Sequence, residues 1–221
     1  MNSVILSKKY DEPPFCEQEI LRYAGCKDAN EELSSLLHSC IKETEGKVEY
    51  KVCYRVLPVK INGVECDFGA FILKSAKLAL NLNDCNQVIV FAATVGVEID
   101  RLIAKYGRIS PSKALMFQAI GAERIEALCD AFCEDISQEM NAFLKPRFSP
   151  GYGDLLLDSQ KDIFAVLDCG KRIGLSLNDS LLMSPSKSVT AFVGISDKGE
   201  KITINKCSSC DKKDCSFRGA L

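Results

Sequence analysis

The sequence predicts an α+β fold, an antiparallel sheet packed with several helices, one of them long. Three observations predict it. Residues 47–57 alternate strictly: Val48, Tyr50, Val52, Tyr54 and Val56 face one way, and Lys47, Glu49, Lys51 and Arg55 the other, as in a half-buried strand. A helical apolar period runs from Ser110-Pro111 to about Asn141, roughly 45 Å at the usual rise. Beyond residue 172 the strand-like segments cluster instead of alternating with helices, which favours an antiparallel sheet over a parallel one.

At 221 residues the chain is long enough for a sizeable core. Its 28 basic and 30 acidic residues are interspersed and nearly cancel, which leaves no nucleic-acid or membrane-surface footprint. No apolar run reaches the roughly 18 residues of a membrane span. The first residues, with Val4, Ile5 and Leu6 ahead of Lys8 and Lys9, do not have the pattern of a signal peptide, so a cytoplasmic location is expected. Twelve cysteines are many, but Cys40, Cys53, Cys129 and Cys133 sit singly on apolar faces as small reduced hydrophobes.

In chain order, residues 1–15 read as an arm ending at Pro13-Pro14, and a short helix follows over 16–23, closed by Gly25. Asp28 and Glu31 form a capping-box-like start for a helix to about Glu43, with Leu33, Leu36, Leu37, Cys40 and Ile41 as its stripe. His38 lies on this helix. It is the sole histidine, which argues against a metal or catalytic role for it. Asn62-Gly63 predicts a tight hairpin after the first strand. A helix is expected over 71–81, a strand over 87–94 and a helix over 97–106. The long helix then starts with Ser110 as cap and Pro111 in its first turn. Its expected buried stripe is Leu115, Ala122, Ile125, Cys129, Phe132, Ile136 and Met140, with Glu126 and Asp130 four apart on a flanking face. A helix over 159–168 and strands over 172–177, 180–183, 188–195 and 201–205 complete the pattern, with a turn at Asp197-Lys-Gly199.

Between the long helix and the last strands lies Arg147-Phe148-Ser149-Pro150-Gly151-Tyr152. It combines a guanidinium that can grip a carboxylate at two points, a Pro-Gly turn with exposed backbone groups, and an aromatic ring with a hydroxyl. That set suits a small zwitterion carrying a flat ring.

Over about residues 61–204 the chain resembles the reactivation domain of cobalamin-dependent methionine synthase, here in a free-standing form. Four passages carry the resemblance: Phe91-Ala-Ala-Thr-Val-Gly96, residues 122–132, Arg147-x-x-Pro150-Gly151-Tyr152, and residues 172–180 followed by Met183 and Ser188-Val189. The resemblance implies binding of S-adenosylmethionine in a shallow groove and delivery of its methyl group to the cobalt of a cobalamin held by another module. It implies an electron donor such as flavodoxin or ferredoxin. Carried over residue by residue, Arg147 falls where the family grips the ligand's carboxylate and Ser149 where it offers backbone. Gly151 and Tyr152 fall on the nucleoside side, and Glu126 falls where the long helix turns an acid to the ligand. Two family features lack counterparts: a tyrosine pair that would fall near residues 199–202, and an aspartate in an Asp-Trp-Thr-like segment, since this chain has no Trp.

Cys207, Cys210 and Cys215 lie in a polar tail beyond the resembling stretch, too close together for core residues. Thiolates at these spacings can ligate zinc or an iron–sulfur cluster, with Cys169 or another chain as fourth ligand. The expected organisation is an N-terminal portion at 1–60, the ligand-binding domain at 61–205 and a cysteine-rich tail at 206–221. The leading expectation is reactivation of a methionine synthase or related corrinoid methyltransferase. The alternative is a metal-binding interaction or electron-relay module on the same fold that does not bind S-adenosylmethionine.

Overall fold

A computed structural model describes residues 4–26 and 29–196. A five-stranded antiparallel sheet has the order β1-β2-β6-β10-β7, formed by Leu6–Tyr10, Tyr50–Pro58, Gln87–Thr94, Ser188–Ser196 and Phe143–Leu144. A second antiparallel sheet of three short strands comprises β3 (Lys60–Asn62), β4 (Glu65–Asp67) and β5 (Ile72–Lys74). One face of the large sheet is covered by α1 (Glu17–Tyr23), α2 (Glu31–Thr44), α4 (Glu98–Ile109) and α5 (Pro111–Met140). The other packs on α3 (Ala76–Asn81), α6 (Gln160–Leu167), α7 (Cys169–Ile173) and the small sheet. A final pair, β8 (Ser176–Leu177) and β9 (Met183–Ser184), is antiparallel.

The expected arm at 1–15 instead supplies an edge strand. Leu6 pairs with Tyr54 and Tyr10 with Tyr50. Its sequence, Leu-Ser-Lys-Lys-Tyr, gives no apolar alternation because a charged edge strand is held by backbone pairing. Tyr10 donates to Asp135 of α5 at 2.6 Å and Lys8 reaches the same carboxylate at 2.8 Å. These two donors hold the Asp135 carboxyl below its ordinary range.

The strand predicted over 47–57 is β2, yet it is buried on both faces. Tyr50, Val52 and Tyr54 enter the long-helix core, while Cys53 and Leu57 enter the opposite one. Helices α6 and α7 cover the side expected to face solvent. Asn30, and not the predicted Asp28, caps α2, accepting from the Leu33 N–H at 2.8 Å; Asp28 lies outside the described residues. The helix expected over 71–81 divides at Ser75. Before it, Ile72–Lys74 pair with β4; after it, the Ser75 hydroxyl caps α3 by accepting from the Leu78 N–H at 3.0 Å. The strand expected over 172–177 begins as α7, which Gly174 stops at φ +72°, leaving only Ser176–Leu177 extended. Strand pairing over the expected 180–183 is confined to Met183–Ser184.

The long helix is where the sequence predicts it. Ile125, Cys129, Phe132 and Ile136 are buried as expected, but Leu115 and Met140 are exposed. Met116, Phe117, Ile120 and Leu128 fill the core in their place. Gly121 lets α4 approach, since a Cβ there would meet the Ile99 Cγ2 at 2.7 Å. Among the described residues no helix is long and apolar enough to cross a membrane.

Candidate functional site

The site lies where the chain leaves α5 and runs along the edge of the large sheet. Leu144 pairs with Ile195 of β10. Four residues on, Phe148 exchanges both backbone hydrogen bonds with Phe192, each 2.9 Å. Arg147 is thus held between two anchored residues, and its side chain returns to α5. Its Nη2 donates to Glu126 Oε2 at 2.7 Å, and its Nη1 to Asp130. The side chain of Arg147 is 11% exposed, against 32% for Glu126 and 53% for Asp130. Burial opposes the guanidinium charge, but its anionic surroundings hold Arg147 above its ordinary value. Cys129 beneath it is pushed up by burial and is a thiol at neutral pH, so the effective counter-charges are Glu126 and Asp130.

The Ser149–Tyr152 segment is a type II turn, with Pro150 at its second position and Gly151, at φ +89°, at its third. The Tyr152 N–H closes it on the Ser149 carbonyl at 3.0 Å. The Gly151 N–H bonds to Leu155 O at 2.9 Å, and the Leu155 N–H returns to Tyr152 O at 3.0 Å. The Gly151 and Tyr152 N–H groups are therefore used internally, contrary to the expectation of exposed N–H groups. The Ser149 and Tyr152 carbonyls, which accept these bonds, each keep a second lone pair. Tyr152 is 58% exposed, its ring edge-on to Phe148 at 6.3 Å.

Asp154 fixes this turn to the second layer, a role that sequence reasoning missed. Its carboxylate accepts from the Ser75 hydroxyl, from the Ala76 N–H at 2.7 Å and from the Lys77 N–H at 3.2 Å. The Ser75 hydrogen bond is the main reason its pKa lies below the ordinary carboxylate value. The stabilisation is therefore complete above the unfolded value near 4 and is lost as pH falls through the folded one. Wild type should exceed Asp154→Asn in thermal stability at neutral pH, with the gap closing on acidification. Unfolding scans of both across that range check it; a gap that does not change with pH would refute the assignment.

Glu123 and Arg124, also missed, lie on the buried side of α5. Arg124 is fully buried and meets Glu123 at two points, each 2.6 Å. It also donates to the carbonyls of Pro13 and Pro14, lies 3.8 Å from the Phe15 ring centroid, and so ties the N-terminal segment to α5. No periodic signal marks this pair, because its partners are carbonyls more than 100 residues away. His38 is exposed, 3.2 Å from Glu17. The tail cysteines Cys207, Cys210 and Cys215, the last predicted strand and the 199–202 segment lie outside the described residues. Among the described residues no three potential ligands cluster around a metal position. Cys169 is buried, and the adjoining Cys53 together with burial pushes its thiol up. Two surface depressions, one of about 490 Å³ along Val59–Ile61 and Asn83–Asn86, the other beside Leu33 and Leu36, do not include Arg147.

An antiparallel sheet with a long helix laid across one face defines the class: an α+β domain. The family described as "Vitamin B12 dependent methionine synthase, activation domain" matches residues 77–218, and the chain belongs to it. The match reaches past the stretch recognised from sequence, so the three tail cysteines fall within the family's bounds. Among solved structures, the crystal structure of the MetH reactivation domain bound to AdoHcy is similar, with a TM-score of 0.63 at 14% identity. The likeness covers 89% of this chain and 80% of that one, and shows the shared fold. No curated protein matches the chain.

Proposed function

We propose that this chain binds S-adenosylmethionine along the α5 face and the 147–152 edge. There it presents the sulfonium methyl to a cobalamin held by a separate module, of methionine synthase or another corrinoid methyltransferase. The observation that carries this reading is Arg147, largely buried and positioned by backbone pairing on both sides, with acids on its terminal nitrogens. The residues present fit the ligand. A guanidinium suits its carboxylate, Glu126 suits its ammonium and sulfonium, the carbonyls from Ser149 to Tyr152 suit an adenine amine, and the Tyr152 ring offers a stacking face. The AdoHcy in the similar structure is a ligand with these same two ends.

A cobalamin on the partner, given one electron from a flavodoxin or ferredoxin, would supply a cobalt nucleophile for the methyl, with the electron pair of the broken C–S bond left on sulfur. This chain's residues need no acid–base step. Their part is to fix the amino-acid end at Arg147 and the nucleoside at the turn, so that the methyl faces the partner with water excluded. Calorimetric titration with S-adenosylmethionine, alone and with a methionine synthase carrying oxidised cobalamin, tests it. Saturable heat in at least one setting is expected; none in either would overturn the reading.

A further inference from the structure

The guanidinium that the ligand's carboxylate would grip is already engaged. Both terminal nitrogens of Arg147 point at protein carboxylates, Glu126 on one and Asp130 on the other. A cation this deeply buried is strongly disfavoured without an anion beside it, so the unliganded chain must supply the counter-charge itself. The two acids are not equivalent. Spaced four apart on α5 they share a face, but Glu126 is the more enclosed and Asp130 keeps more than half its surface in water. A carboxylate so well solvated gives up an ion pair at little cost.

We propose that Asp130 is an internal stand-in for the ligand's carboxylate. It holds Arg147 charged and aimed while the site is empty and yields its nitrogen when the ligand arrives; Glu126 stays. The inference rests on the reading above and fixes the sign of a substitution. An acid that contacted the ligand's cationic groups would weaken binding when neutralised. A competitor strengthens it.

The test is the affinity of wild type, Asp130→Asn, Asp130→Ala and Glu126→Gln for S-adenosylmethionine, S-adenosylhomocysteine and decarboxylated S-adenosylmethionine, all at one ionic strength. Both Asp130 variants should bind the two carboxylate-bearing ligands about 3- to 10-fold more tightly, the scale of a partly exposed ion pair removed as competitor. They should show no gain for the decarboxylated ligand, and Glu126→Gln should weaken all three. Wild type that binds none of them, either alone or with a methionine synthase carrying oxidised cobalamin, would overturn the binding reading itself. Wild type that binds, with Asp130 variants that bind S-adenosylmethionine equally or more weakly, would overturn this inference alone. So would a gain of equal size for the decarboxylated ligand.

Discussion

Arg147→Ala should lower the affinity for S-adenosylmethionine by about 10- to 100-fold, because a charge-assisted hydrogen-bonded pair contributes roughly 1.5–3 kcal/mol. The loss has a second component. Without the guanidinium, Glu126 and Asp130 face each other on one side of α5 and repel both one another and the incoming carboxylate. Arg147→Lys separates charge from geometry. It keeps the cation but loses the planar fork, so it should recover part of the affinity and not all of it. Calorimetric titration of the three proteins under matched salt decides the matter. Affinity unchanged in Arg147→Ala would remove this residue from the site, and the α5 face with it.

The largest stability effect is expected at Arg124. Arg124→Met leaves Glu123 as a nearly unexposed carboxylate without its bidentate partner, and breaking a buried pair on one side costs about 3–5 kcal/mol. It also strips two donors from the Pro13 and Pro14 carbonyls. The double variant Glu123→Gln/Arg124→Met removes the stranded charge and should recover a substantial share of the loss. Urea-unfolding midpoints of the wild type, the single and the double variant measure this. A single variant as stable as wild type would show that Pro13–Cys16 is held by something other than this pair. Because the pair lies on the same helix as Glu126, ligand affinity provides a control. It should change little in the double variant, whose residues point into the core and not toward Arg147.

The sequence by itself determined the elements whose signals are local. Alternation placed β2 to within a few residues, the apolar run placed Gln87–Thr94, and Ser110-Pro111 with the helical period placed the 30-residue α5. The order of motifs around Phe91–Gly96, 122–132 and 147–152 was enough to expect the activation-domain family, since that combination is far more specific than any one motif. Glu126 and Arg147 were legible as site candidates for the same reason.

Tertiary structure alone decided what depends on distant partners. The strand at Leu6–Tyr10 exists because β2 offers it an edge, and its lysines carry no apolar signal. Cys53 is core because α6 and α7 cover that side of β2. Asp154 anchors the Pro-Gly turn through Ser75, 79 positions earlier, and Arg124 is a buried cation because two proline carbonyls meet it. The engagement of Arg147 by Glu126 and Asp130 belongs with these. Spacing puts both acids on one flanking face of α5, and only the sheet edge brings the guanidinium to them. Periodicity reports which face of an element is apolar. It cannot report which charged groups meet when burial forces every polar atom to find a partner.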